Sequence, residues 1–150
     1  MPNLYPWLNP RKRAAIRASI QTPGGRINFI NAHLSLFKLE RRKQVKTLLG
    51  KNWLSAVPKD EPVILCGDFN AGPLSKTYRT LSRFLTDVQK DIKNLRPSVS
   101  QPTFHSRSPL FRIDHIFVSR HFRTFNVKVT RTLDTQTASD HLPLMADLAM

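Results

Sequence analysis

The short apolar run Pro62–Cys66 (PVILC) constrains the fold of this chain more than any other segment. An unbroken apolar run of this length is typical of a strand that is buried on both faces, with a packing layer on each side. The run ends directly in Gly67-Asp68-Phe69-Asn70, so a carboxylate follows a buried strand, where an unpaired charge is costly. The segment therefore predicts a layered domain with polar chemistry at the end of one strand.

Segments before and after this run predict the first elements of the domain. Ala14–Ile20 alternates between apolar and polar residues, Thr22–Gly25 has turn residues, and Arg26–His33 is rich in extended formers. Together they predict a hairpin. From Lys38 to about Ala56 the apolar residues fall near helical spacing, which predicts a helix.

The later part of the chain predicts a second helix and more strands. Ser75 is expected to cap a helix, and Thr86–Gln101 is weakly patterned and is expected to be irregular. Further strands are expected at Arg112–Ser119, Phe125–Arg131 and Leu142–Leu148. Strands followed by helices and then by a run of strands indicate an α/β domain with a mixed sheet.

Length and charge limit the classes of protein to which the chain can belong. Its 150 residues suit one domain, which would bury roughly 70% of its unfolded surface. The 24 Lys and Arg residues against 10 Asp and Glu leave a formal charge of +14, which favours phosphate-bearing partners: nucleic acid, phospholipid headgroups or phosphorylated metabolites. The single cysteine, Cys66, excludes an internal disulfide framework and a four-cysteine zinc site. Because no apolar stretch is long enough for a transmembrane segment and the first residues lack an apolar signal core, we expect a soluble, cytoplasmic chain.

Acids, amides and imidazoles recur at the predicted strand ends, at His33, Asp68, Asn70, Asp114, Asp140 and His141. Taken singly, each has an ordinary interpretation, with Asp68 as a cap, Asp114 as an edge residue and His141 as a loop histidine. Taken together, they supply hard oxygen ligands for Mg²⁺, neutral donors for phosphate oxygens and a carboxylate–imidazole pair. These are the groups that a phosphoester hydrolase needs.

Four segments carry these residues in a defined order: Asn31-Ala32-His33-Leu34, Gly67-Asp68-Phe69-Asn70, Arg112-Ile113-Asp114-His115-Ile116-Phe117 and Ser139-Asp140-His141-Leu142-Pro143. The ordered set resembles the deoxyribonuclease I-like endonuclease/exonuclease/phosphatase superfamily, from about Ala14 to the C-terminus. The resemblance implies a four-layer α-β-β-α sandwich of which this chain would form the C-terminal half, a mixed sheet with flanking helices. Residues 1–13 would be a loop leading into the domain, and residues 14–150 would be the C-terminal part of the domain.

The resemblance also implies a metal-dependent hydrolase that cleaves phosphoester bonds. Asp68 would orient or deprotonate the attacking water, and Asn70 would hold a phosphate oxygen or that water. His141, hydrogen-bonded by Asp114, would act as a general base or as a donor to the transition state. His33 would donate to a phosphate oxygen.

The metal site implied by the resemblance is only partly represented in this sequence. Asp140 would bind Mg²⁺, or Mn²⁺ in its place, directly or through water. The family's first half supplies a metal-binding glutamate, and the only glutamates here, Glu40 and Glu61, lack that context. The chain is therefore expected to be a fragment, a split product with a partner, or a remnant without full activity. A half sandwich would expose an apolar sheet face, which favours a missing N-terminal half or self-association.

Several alternatives stay open at this stage. The substrate is DNA, RNA, a phosphoinositide, sphingomyelin or a small phosphoester, and the charge favours nucleic acid. The alternative function is a non-catalytic basic module that binds nucleic acid or anionic phosphate and retains the fold. The basic segment Lys38–Lys51 either tracks a polyanion or an anionic membrane, or is a solvated helix face. Arg107 and Arg112 are expected near the substrate phosphate, whereas His115, on the strand face opposite Asp114, is expected to have no catalytic role.

Overall fold

The structure is a computed structural model that describes residues 13–91 and 101–150. Residues 1–12 of the predicted N-terminal loop and residues 92–100 of the segment predicted to be irregular lie outside the described residues. The elements, in chain order, are β1 (Ala15–Thr22), β2 (Gly25–Ala32), α1 (Lys38–Leu48), a 3-10 turn (Leu54–Ala56), β3 (Val63–Asp68), α2 (Lys76–Leu81), β4 (Thr86–Asp87), α3 (Val88–Asp91), β5 (Asp114–Val118), β6 (Arg123–Val129), α4 (Leu133–Ala138) and β7 (Leu144–Ala149).

A mixed sheet of five strands, in the order β1-β2-β3-β5-β4, forms the centre of the fold. β1 and β2 form the predicted hairpin, with Ala15 opposite Ala32 and Thr22 opposite Gly25. Gly25 has a φ of 121°, a conformation that glycine adopts without steric cost, so the tight turn can form there. β3 is parallel to β2 and antiparallel to β5, so the predicted mixed sheet is confirmed.

Strand β3 is covered on both faces, as its apolar run predicts. Because consecutive residues of a strand point to opposite faces, Leu65 and Ile64 enter different cores. Leu65 and its partner Phe117 pack in the larger core with residues of α1 and α2. Ile64 and its partner Val118 pack in a smaller core with residues of α3 and of the β6–β7 hairpin. The five-stranded sheet is therefore the middle layer.

Helix α1 begins at Lys38 but ends at Leu48, earlier than the spacing predicts. Gly50 disfavours continuation of the helix, and a separate 3-10 turn forms at Leu54–Ala56. The apolar spacing continues past the end of the helix, because Trp53 and Leu54 pack against the same core as α1 although they are not part of that helix. In the part of the chain that the structure describes, no helix is long and apolar enough to cross a membrane.

The later elements are largely as predicted, with two corrections. Ser75 caps α2, and its hydroxyl oxygen accepts the Tyr78 N–H at 3.1 Å. The segment predicted to be irregular contains β4 and α3, because Asp87 and Val88 are fixed by buried contacts. Helix α4, which has no apolar period, is held at its N-terminus by a capping box of Thr132 and Thr135.

The sheet face opposite α1 and α2 is only partly covered. The β6–β7 hairpin packs on this face over the centre of the sheet, through residues such as Ile64 and Ile116. Strand β1 lies at the sheet edge, and its Ile16 and Ile20 are 70% and 45% exposed on this same face. The exposed isoleucines of β1 therefore form an apolar surface of the kind that a packing partner covers.

A buried polar network joins β4, α2 and β5. Asp87, 2% exposed, accepts a hydrogen bond from the Tyr78 hydroxyl at 2.6 Å and pairs with the Arg112 guanidinium. Nδ1 of His115 lies 3.6 Å from the same carboxylate, and its Nε2 hydrogen-bonds the Ala71 carbonyl at 2.8 Å. The prediction that Arg112 contacts substrate phosphate is therefore wrong, because its guanidinium is buried and forms an ion pair with Asp87. His115 is buried beneath the sheet, away from the strand face of Asp114, as expected.

Candidate active site

Two parallel strands and one antiparallel strand bring the predicted polar residues to one edge of the sheet. His33 follows the end of β2, Asp68 ends β3, and Asp114 begins β5. Asp68 and Asp114 are direct partners in the β3–β5 register. The Leu34 N–H donates to the Asp68 carbonyl at 2.8 Å, which ties the loop after β2 to the end of β3. The loops that leave this edge therefore surround one shared site.

Asp68 lies at the centre of the site and has two polar partners. Its Oδ2 is 3.1 Å from Nε2 of His33, and its Oδ1 accepts the Asn70 N–H at 2.8 Å. The Asn70 side chain donates to Oδ2 of Asp68 at 3.0 Å and to the Leu34 carbonyl at 2.9 Å. Asn70 has a φ of 47°, a left-handed conformation that asparagine tolerates better than most residues. The segment Gly67–Asn70 thus holds a carboxylate and an amide in one turn.

Glycine is required immediately before Asp68. Gly67 has a φ of 128°, and a Cβ atom there would lie 2.1 Å from the Ala32 carbonyl oxygen and 2.7 Å from the Asn31 side chain. Because both contacts are closer than atoms can approach, a larger residue would push β2 and β3 apart. The close approach of these two strands sets the distance between His33 and Asp68.

The second half of the site is a carboxylate–imidazole pair. Nδ1 of His141 lies 2.8 Å from Oδ2 of Asp114, as the resemblance implies. The same oxygen accepts the hydroxyl of the fully buried Thr103 at 2.6 Å. The Phe104 ring lies against the His141 ring with centroids 5.0 Å apart. Thr103 was not among the predicted residues, since no sequence signal distinguishes a buried threonine that orients a carboxylate from any other.

The electrostatics of the site differ between its two histidines. Burial lowers the pKa of His141, but the hydrogen bond and charge of Asp114 outweigh it, so the pKa of His141 is raised. Burial and the nearby Arg13 guanidinium lower the pKa of His33. Burial also raises the pKa of Asp68, although the Asn70 N–H acts in the opposite direction. The site therefore pairs one imidazole whose pKa is raised with one whose pKa is lowered.

The donors available for a metal ion are fewer than the predicted function needs. Asp140 is exposed, and its backbone carbonyl accepts the Ser106 N–H at 2.8 Å. Glu61 precedes β3 at the strand end opposite Asp68, where it contacts Arg26 and Asn28, and Glu40 is buried on α1. Within residues 13–91 and 101–150, no three His, Cys, Asp or Glu side chains form a group that could hold a metal ion.

Replacing Asp114 by Asn is expected to lower the pKa of His141, because it removes the charge that favours the imidazolium. The pair stabilises the fold fully below the ordinary pKa of histidine, and this stabilisation is lost as pH rises through the raised pKa of folded His141. Titration of the His141 ring signals by NMR in the parent chain and in Asp114→Asn measures the shift. His121, which lies beyond the end of β5 opposite Asp114, is the internal control. An unchanged pKa for His141 would contradict the role of Asp114.

Comparisons with known proteins match most of this chain. A model of the Endonuclease/Exonuclease/phosphatase family matches residues 4–141. The uncharacterized protein YbhP of Escherichia coli (strain K12) is 28% identical over 148 residues, which cover 91% of this chain and 53% of YbhP. The mannosyl-6-phosphatase Bt3783 of Bacteroides thetaiotaomicron has a TM-score of 0.77 at 24% identity, over 92% of this chain and 57% of that chain. An endonuclease/exonuclease/phosphatase from Bacteroides vulgatus has a TM-score of 0.74 at 21% identity, over 92% and 56%. The chain thus spans about half the length of the relatives it matches, and it has their deoxyribonuclease I-like fold.

Proposed function

Because this chain belongs to the endonuclease/exonuclease/phosphatase family, we propose that it is the part of a phosphoester hydrolase that carries most of the catalytic side chains. One observation carries the proposal: the Asp68–His33 and Asp114–His141 pairs converge on one edge of the sheet. The charges of Asp114 and His141 act on Asp68, as expected for groups of one site. Two carboxylates and two imidazoles so arranged can orient a water molecule and donate to phosphate oxygens.

Each side chain takes a role that its surroundings support. Asp68, with its raised pKa, orients the attacking water or accepts its proton, and Asn70 holds that water or a phosphate oxygen. His141, held by Asp114, acts as a cationic donor to the transition state or as a general base. His33, whose Nε2 lies 3.1 Å from Oδ2 of Asp68, donates to a phosphate oxygen. Donors placed where negative charge develops stabilise the transition state more than the substrate.

We propose Mg²⁺, with Mn²⁺ as its substitute, as the cofactor. The exposed Asp140 carboxylate fits the preference of Mg²⁺ for oxygen ligands, and Mg²⁺ keeps several waters in proteins. When bound, such a cation would neutralise charge on the phosphate. Because Glu40 and Glu61 are engaged elsewhere, the remaining protein ligand is proposed to come from a first half of the family's domain.

The direct experiment measures the release of p-nitrophenol from bis-p-nitrophenyl phosphate and from p-nitrophenyl phosphate. These two compounds separate diesterase from monoesterase activity, and EDTA with added Mg²⁺ or Mn²⁺ reports the metal requirement. The substrate class is otherwise open among nucleic acids, lipid headgroups and small phosphoesters, and the charge of +14 supports an anionic polymer or surface. Hydrolysis that is abolished by EDTA and restored by Mg²⁺ is the expected result.

We further propose that residues 14–150 are the C-terminal part of the family's domain and that a first half covers the open sheet face. Two observations support this division. Ile16 and Ile20 leave an apolar strand face in solvent, and the chain spans 53–57% of the relatives named above.

The isolated chain is therefore expected to be weakly active and to self-associate. Misplacement of a reacting group by about 1 Å can cost roughly a hundredfold in rate, and here the metal lacks a ligand that would fix it. Solution mass and turnover, measured with and without the first half of a family member, test this expectation. Replacing Ile16 and Ile20 by Thr should reduce self-association, whereas the same change at the exposed Leu133 of α4 should not. A monomer with full Mg²⁺-dependent turnover would contradict the proposal.

A non-catalytic module that binds anionic phosphate is the second candidate function. The lack of a metal-binding group of three among the described residues favours it. The two candidates differ in turnover, since a binding module would retain a phosphodiester without cleaving it. Absence of cleavage in the presence of the first half and Mg²⁺, together with salt-sensitive retention of an oligonucleotide, would favour the module.

A further inference from the structure

Three leucines are exposed beside the candidate site, each next to or near a lysine. Leu36 and Leu39 flank Lys38 where α1 begins, and Leu74 lies two residues before Lys76 where α2 begins. The three leucines are 62%, 56% and 92% exposed. We refer to Leu36, Lys38, Leu39, Leu74 and Lys76 as the leucine–lysine rim. An isolated exposed leucine is ordinary, but three of them interleaved with cations on adjoining loops form a patch.

The two parts of the rim belong to one surface. The Asn70 side chain donates to the Leu34 carbonyl at 2.9 Å, so the loop before α1 lies against the loop before α2. Further along, a groove of about 330 Å³ between the two helices is lined by Arg42 and Lys46 of α1 and by Lys76 of α2. The rim and this basic groove therefore form a continuous face of the helix layer.

The charge of this face has one sign. On α1, Leu39, Arg42, Lys43 and Lys46 follow the three- and four-residue spacing of a single helix face, and all four are exposed. Glu40 is the only acidic residue in α1 or α2, and it is 1% exposed. The solvent therefore meets only leucines, cations and neutral groups along this face. Arg41, by contrast, is buried and donates to the Ser35 and Leu36 carbonyls, so it is not part of the surface.

The rim is distinct from the open sheet face. α1 and α2 pack on the side of the sheet that buries Leu65, whereas Ile16 and Ile20 lie on the side that carries Ile64. A first half that covers the open sheet face would pack on the opposite side of the sheet from α1 and α2. The exposed leucines consequently need a separate explanation.

We propose that the leucine–lysine rim docks the protein on an anionic lipid bilayer. Proteins that bind at the membrane interface combine cations, which attract anionic headgroups, with apolar side chains that enter the acyl boundary. Leucine suits this environment, whereas binding of single-stranded nucleic acid uses aromatic rings on which bases stack. The rim offers three exposed leucines, and Phe37, the aromatic residue between Leu36 and Lys38, is half-buried, so the chemistry of the face fits a bilayer better than a nucleic acid.

Cosedimentation of the full chain with vesicles tests this proposal without any measurement of hydrolysis. Vesicles of phosphatidylcholine with about 30% phosphatidylserine should bind the chain, and vesicles of phosphatidylcholine alone should bind it weakly. Replacing Leu36, Leu39 and Leu74 together by Ser should weaken binding roughly tenfold or more, because apolar burial is lost. The matched control is Leu133→Ser, which changes a 78% exposed leucine on α4 and should leave binding unchanged.

A second readout places the rim in the bilayer directly. Leu74→Trp should show a blue shift of the added tryptophan emission on anionic vesicles, measured as a difference from the parent chain. Equal binding by the triple Ser variant and the parent would overturn the proposal, because it would show that the net charge of +14 alone explains the binding. Lack of vesicle binding, or binding of an oligonucleotide that depends on the same leucines, would overturn it as well.

Discussion

Replacing His141 by Ala is expected to lower the rate of phosphoester hydrolysis by roughly 10²–10⁴-fold in the active form of the protein, with little loss of fold. His141 is partly exposed and its ring contacts Asp114 and Phe104, so its removal leaves no large cavity in either core. Asp114 retains the Thr103 hydroxyl as a partner, which limits the cost of the unpaired carboxylate. The loss should therefore appear in turnover and much less in thermal stability.

The same experiment with neighbouring residues separates chemistry from structure. Asp68→Asn keeps the shape of the side chain but removes the charge, and a loss similar to that of His141→Ala is expected. His121→Ala, which changes a histidine beyond the end of β5 opposite Asp114, is the control and should retain parent turnover. Steady-state kinetics over a range of pH, with circular dichroism to verify the fold, provides the measurement. Near-normal turnover of a folded His141→Ala protein would refute the assigned role.

Replacing Asp87 by Ala is expected to destabilise the fold by roughly 3–5 kcal/mol, because it leaves the Arg112 guanidinium buried without its counter-ion. Burial raises the pKa of Asp87, but the nearby His115 imidazole and the charge of Arg112 outweigh it, so that pKa is lowered. The Tyr78 hydroxyl and the Gln89 N–H lose their acceptor as well. For a domain of this length, whose total stability is about 5–15 kcal/mol, this loss should lower Tm by about 6–20 °C.

Urea and thermal unfolding, followed by circular dichroism, measure this effect. Asp147→Ala removes an exposed aspartate of β7 that pairs with Asn126, and a change within about 0.5 kcal/mol is expected there. Combining Asp87→Ala with Arg112→Met should recover part of the loss, since the unpaired charge is then absent. A fall of less than about 1 kcal/mol for Asp87→Ala would show that water or relaxation satisfies Arg112, contrary to the network seen in the fold.

The elements predicted correctly from the sequence depend on local interactions. The hairpin of β1 and β2 follows from alternation and from Gly24-Gly25, and the start of α2 follows from the Ser75 hydroxyl. The apolar run Pro62–Cys66 predicted β3, because an unbroken apolar run of this length is typical of a strand that is buried on both faces. These signals lie within a few residues of each other, so the chain carries them whatever its tertiary contacts are.

The candidate site was partly predictable for a related reason. His33, Asp68, Asn70, Asp114 and His141 are polar residues at the ends of apolar runs, and in sheets such ends meet at one edge. Their convergence is seen in the structure, whereas their catalytic roles and the metal ligation of Asp140 stay predictions. The sequence pattern did not identify Thr103, whose hydroxyl donates to Asp114 from a different segment of the chain.

Tertiary structure alone decided which charged residues are buried and what they contact. No sequence signal marks Arg41, Arg112 and Asp87 as buried, yet each is less than 10% exposed. Their partners come from distant positions, as for Asp87 and Arg112, which lie 25 residues apart. Local sequence patterns do not reveal such pairs. A buried charge is stable only when a counter-ion offsets the cost of its desolvation, and only folding brings these two residues together.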